Sequence, residues 1–341
     1  MPLPALKIAI LHYQPKGDEV DPVVTQLTEA LSSLGHQVTT VAVDDRVSEI
    51  LRDIQRAKCD LVFNVCETFA SDYRMEVNVA ALMEMGRVKY TGSSTAGLLL
   101  AQDKVLTKQL LEFHEVSTPN FAVFENDTFE TKGILRFPLI VKPARSDASI
   151  GIGRHSVVQN WQELTERVRE IRDDLQDEAL VEEFIDGREV YVGIVGPASH
   201  PTILPIIEMD FGNWSPAVPM VSDREVKFAP ETEGSPRLVI AKDLSDELRA
   251  RIHRAAHLAY RALKLRDYAR MDFRIAKTGE PYMLEANPNP YLEKTGELAM
   301  AAAEVGLDYA QLVSKILESA AVRYHLHVRE APGKRARAAQ S

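Results

Sequence analysis

The stretch from Arg270 to Asn287 reads Arg-Met-Asp-Phe-Arg-Ile-Ala-Lys-Thr-Gly-Glu-Pro-Tyr-Met-Leu-Glu-Ala-Asn. Two runs of alternating polar and apolar residues flank Thr278-Gly279, and a residue-glycine pair between such runs signals a tight β-hairpin. With a two-residue loop, Asp272 faces Glu285 and Arg270 faces Asn287. All four share one face, because side chains alternate at period two. Met271, Phe273, Ile275, Tyr282, Leu284 and Ala286 then form the core face. Carboxylates directly opposite on neighbouring strands have Cβ atoms about 4.5–5.5 Å apart and repel, so something must compensate. The Asp272 and Glu285 oxygens with the Asn287 amide oxygen make a hard set suited to Mg²⁺ or Mn²⁺, metals usually shared with substrate phosphates. An exposed polar face on which Arg270 pairs with Asp272 accounts for the same residues without a metal.

Outward from the hairpin, the whole chain of 341 residues exceeds what one growing core supports, so two or three domains are expected. Its 45% hydrophobic and 26% charged residues are ordinary for a soluble globular protein. A net charge of -10 argues against a general nucleic-acid binder, which would show a basic footprint. No apolar run of about 18 residues occurs, so no membrane span is expected, and the N-terminus does not read as a signal peptide. Cys59 and Cys66 fit buried small side chains in a reducing cytoplasm rather than a redox pair.

From the N-terminus, Leu6 to Leu11 reads as a buried strand, Asp21-Pro22 opens a helix that closes at Leu34-Gly35, and Val38 to Val43 is a second strand. A helix over Ser48 to Ala57 and a strand over Asp60 to Val65 complete a βαβαβ pattern with apolar strands, as in a parallel, Rossmann-like sheet. The dinucleotide fingerprint is missing, since His12 to Gly17 holds one glycine. Glu67, Arg74 and Glu76 follow the third strand, where α/β sheets bind ligands; equally, Asp72 and Glu76 suit a helix start.

A new unit begins near residue 102. Asp103 caps a helix that starts with Lys104, and Leu139 to Pro143 is a strand carrying Lys142 at the foot of a loop from Ala144 to Gly153. That loop is rich in small residues, among them Ser146, Ser149 and Gly151, with Ile150 between the last two, so backbone N–H groups and hydroxyls can approach a phosphate. Glu182, Glu183, Phe184 and Ile185 form an apolar bend able to hold a purine through main-chain groups, with Glu189 beyond it for a ribose diol; a plain hairpin reads the same way. Asp210 to Arg237 is long and aperiodic and carries Lys227, which suggests a lid or binding loop. Ser245 to Leu263 reads as an amphipathic helix. After Asn287, a rigid segment with Asn289 and Lys294 leads into helices at Glu297 to Val305 and Asp308 to Val322. The basic tail from His325 is expected to be frayed.

Taken in order, these motifs resemble the ATP-grasp superfamily, and within it the D-alanine-D-alanine ligase group, over residues 5 to 322. Asp103-Lys104 is similar to the family's first nucleotide lysine, Val141-Lys142-Pro143 with its loop to the phosphate-covering loop, and Glu182 to Glu189 to the adenine hinge and ribose acid. Lys227 is similar to the β-phosphate lysine. Arg270 corresponds to the oxyanion arginine, and Asp272, Glu285 and Asn287 to the ligands of two Mg²⁺. The resemblance implies an α/β (α+β) ATP-grasp fold of three domains: a Rossmann-like substrate domain over 1–101, a central domain over 102–187 and a catalytic domain over 188–324, with 325–341 as tail. It implies an ATP-dependent carboxylate-amine ligase working through an acylphosphate on small amino-acid-like substrates, as a cytoplasmic homodimer. A small-molecule kinase of the same fold would use the same nucleotide site but pass phosphate to a hydroxyl and stop, and a nucleotide-binding regulatory protein would keep the lysines but have no use for an oxyanion arginine such as Arg270.

The substrate half departs from the family. The Gly-Gly-x-Ser-x-Glu stretch expected after the first strand is absent from Leu11 to Glu19, the His-Gly loop is replaced by Asn64 to Glu67, and Phe228 stands for a tyrosine. Pro288 to Gly296 replaces the segment that receives the second substrate. Glu67, Arg74, Glu76, Asn289 and Lys294 are therefore the candidate substrate contacts.

Overall fold

A computed structural model of the chain describes residues 3–125, 128–145, 153–212 and 236–326. Within them the first sheet is built from β1 (Lys7–Tyr13), α1 (Pro22–Ser33), β2 (Gln37–Val43), α2 (Val47–Ala57) and β3 (Leu61–Asn64), parallel in the order β2-β1-β3. Asp21 caps α1 by accepting from Val23 N at 2.8 Å, ahead of Pro22 in the first turn. The central strand β1 is apolar because it is covered twice. Ile8 and Ile10 pack on Val23, Leu27 and Leu31, while Ala9 and Leu11 pack toward Val41, Ile50, Ile54 and Val79. Helices α3 (Glu76–Met85) and α4 (Thr95–Gln102) follow.

The second sheet comprises β4 (Phe121–Glu125), β5 (Thr128–Lys132), β6 (Leu139–Pro143), β7 (Val157–Val158) and β8 (Ala179–Glu183), ordered β5-β4-β8-β6-β7 with antiparallel pairing. Preceding it is α5 (Lys104–Phe113), and α6 (Trp161–Asp174) crosses between its strands. One face, with Leu139, Val141 and Val181, buries Leu164 and Ile171 of α6; the other gathers Phe121, Val123 and Leu180 around Val105 of α5. Leu111 and Val116, at the far end of α5, join the core of the third sheet instead. Helix α5 thus serves both units.

The third sheet runs β11-β10-β9-β12-β13, from β9 (Gly187–Gly196), β10 (Thr202–Asp210), β11 (Arg237–Ile240), β12 (Asp267–Ala276) and β13 (Pro281–Asn287). Helix α7 (Asp246–Ala262) buries Ile252, Ala256, Ala259 and Tyr260 against Val190, Val192, Ile194, Met271 and Phe273. On the opposite face α8 (Glu297–Glu304) and α9 (Tyr309–Arg323) cover Tyr191, Val195 and Tyr268. Among the described residues no helix is long and apolar enough to cross a membrane.

The β12-β13 hairpin corrects one expectation and keeps its consequence. The loop is three residues, not two: Ala276 N donates to Glu280 O at 2.9 Å and Gly279 N to Ala276 O at 2.8 Å, with Gly279 at φ +85°. Next to the loop Phe273 pairs with Met283, and a one-residue bulge around Leu284 restores Asp272 opposite Glu285 and Arg270 opposite Asn287. The bulge also moves Met283 onto the core face, where it is fully buried, and leaves Tyr282 and Leu284 partly exposed.

Candidate functional site

The polar face of the third sheet is continuous across three strands. Strand β9 sets Glu189 opposite Arg274 and Tyr191 opposite Asp272 on β12, and β13 adds Glu285 and Asn287. Arg270 donates from Nε and a terminal nitrogen to the two Asp272 oxygens at 2.8 and 2.9 Å and from its other terminal nitrogen to Glu297 at 3.2 Å, with its guanidinium 5.2 Å from the Tyr191 ring centre. Burial works against the Arg270 charge, yet Asp272 and Glu297 hold its pKa well above the ordinary value. Asn287 donates through Nδ2 to Asp272 at 3.1 Å, which leaves Oδ1 as the acceptor end of that amide. Among the described residues no three histidine, cysteine or acidic side chains gather for a metal. The set here is two cross-strand carboxylates completed by an amide, and all-oxygen donors of that kind fit Mg²⁺ or Mn²⁺.

Next along the same face, Arg274 donates to Glu189 at 2.7 Å, and the Tyr191 hydroxyl donates to the other Glu189 oxygen at 2.8 Å. Arg274 also reaches the Gly187 carbonyl at 3.3 Å, and its guanidinium lies 5.4 Å from the Phe184 ring centre. The bend after β8 is therefore tied from below. Glu183 N and Phe184 N donate to the carbonyls of Asn120 and Pro138, both at 3.0 Å, and the Glu183 side chain accepts from Asn120 Nδ2 at 3.0 Å and Arg136 N at 3.1 Å.

On the second sheet, Lys142 and Glu182 occupy the same face of adjacent strands, and Lys142 Nζ lies 2.7 Å from Glu182 Oε2. The other Glu182 oxygen is ion-paired with Lys108, which projects from α5 one turn after Lys104. Burial would raise the Glu182 pKa, but Lys108 and Lys142 hold it down at about 2. Glu285, from the third sheet, lies close enough to act on the charge of both lysines. Lys104 is buried, and its backbone N donates to Ala144 O at 3.1 Å.

The structure separates the candidate substrate residues. Arg74 is engaged by Asp72, its terminal nitrogen 2.8 Å from an oxygen of the same carboxylate that caps the turn over Tyr73–Met75. Lys294 binds Glu29 of α1 at 3.1 Å and is exposed. Glu76 is buried and accepts from Asn289 Nδ2 at 2.6 Å, while Asn289 Oδ1 accepts from Ser93 N at 3.0 Å. Glu67 is half-buried and acts on the charge of Cys66 and Tyr268, as Glu76 does. Ser146, Ser149, Ile150, Gly151 and Lys227 lie outside the described residues.

Sequence reading missed Lys108, Arg274 and Glu297. Arg274 was legible as the third member of the period-two set Arg270, Asp272, Arg274, and Lys108 as the second lysine of an i, i+4 pair. Glu297 gives no such signal, since only the return of α8 over the sheet brings it to Arg270.

The family model described as D-ala D-ala ligase C-terminus matches residues 109–318. A D-alanine-D-alanine ligase of Aquifex aeolicus is 31% identical, over 85% of this chain and 92% of its own length. An uncharacterized protein of Sinorhizobium fredii is 33% identical, over 91% and 89%. The crystal structure of the D-alanine-D-alanine ligase from Bacillus anthracis complexed with ATP superposes with a TM-score of 0.72 over 94% of this chain and 99% of that one, at 20% identity, a likeness of fold.

Proposed function

Since the chain belongs to the D-alanine-D-alanine ligase family of ATP-grasp enzymes, we propose that it is an ATP-dependent, ADP-forming carboxylate-amine ligase for small amino-acid-like substrates. The observation that carries this reading is the shared face of Arg270, Asp272, Glu285 and Asn287, with Glu285 near Lys142. A carboxylate is a poor electrophile, so the γ-phosphate of ATP passes to it and an acylphosphate forms. An amine then attacks the acyl carbon, phosphate leaves, and the amide remains. Lys142 and Lys104 offset the charge on the phosphates, and positioning and charge are most of what phosphoryl transfer needs. Lys227 and the backbone around Ser146, Ser149, Ile150 and Gly151 would serve the same end. Arg270 donates to the tetrahedral oxyanion, a role worth a few kcal/mol in comparable sites. The bend from Glu182 to Ile185 receives the adenine and Glu189 the ribose. Asp272, Glu285 and Asn287 would hold Mg²⁺ or Mn²⁺, which when bound neutralises phosphate charge.

Glu76 with Asn289 is the best placed pair for a substrate amine, with Glu67 beside it. Arg74 and Lys294, engaged by Asp72 and Glu29, are the weaker candidates for a substrate carboxylate. The rewritten segments at Leu11 to Glu19 and Pro288 to Gly296 disfavour D-alanine in both positions. A cytoplasmic homodimer completes the proposal.

The test is ADP and phosphate release with Mg-ATP against D- and L-amino acids, dipeptides and small carboxylates, singly and in pairs, with Asp272→Asn as blank. Release that requires a carboxylate and an amine together, with an amide mass in the products, is the expected result. A phosphorylated product formed without an amine would identify a kinase, and ATP binding without turnover across the panel a regulatory protein.

A further inference from the structure

Lys108 has no part in the chemistry above, although it is among the most deeply buried charges in the chain. Its side chain is 1% exposed, as is that of its partner Glu182. Around the pair lie Phe121, whose ring centre is 5.8 Å from Lys108 Nζ, and the apolar Leu180 and Val105. Burying an ammonium is costly, and a single lysine suffices to neutralise a single carboxylate. Lys142 already does that at 2.7 Å. At contact distance the cluster therefore sets two cations against one anion, a local surplus of one positive charge at Glu182, with Glu285 of the third sheet acting on both lysines from farther off.

The two lysines differ in their freedom. Lys142, 9% exposed, stands at the end of β6, where the chain leaves for the small-residue loop. Lys108 is sealed between α5 and the sheet. We infer that Lys108 is a positioning residue that keeps Glu182 neutralised when Lys142 turns from Glu182 to the phosphates of a nucleotide. Without Lys108, that turn strands a buried carboxylate, and nucleotide binding carries the cost. With it, Lys142 changes partner while Glu182 retains one. This rests on the proposal that the chain binds ATP.

The experiment measures Mg-ATP and adenosine binding by titration calorimetry on the full-length protein and three variants, with circular dichroism as a check of folding. Lys108→Met keeps the volume and removes the surplus charge. Its Kd for ATP rises roughly tenfold, the size of one charge-assisted contact, while adenosine affinity holds. The double variant Lys108→Met/Glu182→Gln has no carboxylate to strand and recovers the surplus charge, so its ratio of ATP to adenosine affinity returns to near the native one. Glu182→Gln alone, which frees both lysines, raises that ratio above native and covers the case in which Lys108→Met does not fold. An unchanged ratio in Lys108→Met, a double variant no better than the single, or a lowered ratio in Glu182→Gln overturns the inference. A native protein that binds no ATP would instead overturn the functional proposal beneath it.

Discussion

At the scale of single residues, the described charges of the site are held in pairs that the fold supplies, Arg270 with Asp272, Arg274 with Glu189 and Lys142 with Glu182. Arg274 is 4% exposed and is held by Glu189 and the Gly187 carbonyl. Arg274→Met leaves the Glu189 carboxylate buried with the Tyr191 hydroxyl still donating to it but no cation beside it from β12, and loss of one member of a buried pair costs about 3–5 kcal/mol. Urea unfolding reads that loss, accompanied by a raised KM for ATP; a variant as stable as the native chain would show that Glu189 is compensated elsewhere. Glu182 gives a pH signature. Its folded pKa of about 2 lies below the ordinary 4.5, so its ionised form stabilises the fold above pH 4.5, and that contribution drains away as the pH falls from 4.5 toward 2. Glu182→Gln should flatten the acid limb of stability in that window, and parallel limbs for variant and native chain would contradict it. The sequence shows why these roles are unevenly legible. Asp272 and Glu285 announce themselves by strand alternation, whereas Lys108 reads as one of many solvent-facing helix lysines, because its carboxylate partner comes from a strand more than seventy residues later.

At the scale of elements, local pattern was sufficient wherever a cap or a period was written into the chain. Asp21-Pro22, Ser245 and Asp308 each cap the helix expected of them, and Asp308 forms a full capping box with Gln311. The hairpin was harder, because twelve residues separate Asp272 from Glu285 under either of two partitions. A two-residue loop with five pairs gives the same count as a three-residue loop with four pairs and a bulge. Counting residues could not choose between them; the backbone hydrogen bonds at the loop and the burial of Met283 do. The entry to β9 is equally constrained by backbone approach. A Cβ on Gly187 would stand 2.0 Å from the Ile275 carbonyl oxygen, so Gly187→Ala forces β9 away from β12. The expected loss is about 2–4 kcal/mol in denaturant unfolding, with weakened adenosine binding at the adjoining bend. An alanine chain as stable as the native one would mean that β9 shifts freely there.

At the scale of the molecule, the first and third sheets are joined by a buried polar seam. Gly92 N donates to Asp267 at 2.9 Å and Ser93 N to Asn289 at 3.0 Å, while Arg323 bridges Asp267 at 2.8 Å and the Tyr90 carbonyl at 2.8 Å. Asn289→Ala removes the amide that satisfies both Glu76 and Ser93 and is expected to cost about 1–3 kcal/mol. Hydrogen exchange should show the Gly92 and Ser93 amides among the slowest in the native chain and faster in the variant, and fast native exchange would refute the seam. Saturating ATP, at about a hundredfold over its Kd, adds roughly 2.7 kcal/mol of stability. On this arrangement the added protection falls on the second sheet, which meets the others through α5 and the bend at Glu182 to Ile185, and leaves the seam unchanged. The seam has an optical corollary. Trp161, 70% exposed and edge-on to Phe137 at 5.6 Å, sits on α6 of the second sheet. The chain has one other tryptophan, Trp214. A Trp214→Phe chain would therefore carry a single indole, on the lobe the seam does not hold, and the emission of that indole, excited apart from the tyrosines, becomes a built-in gauge of nucleotide arrival.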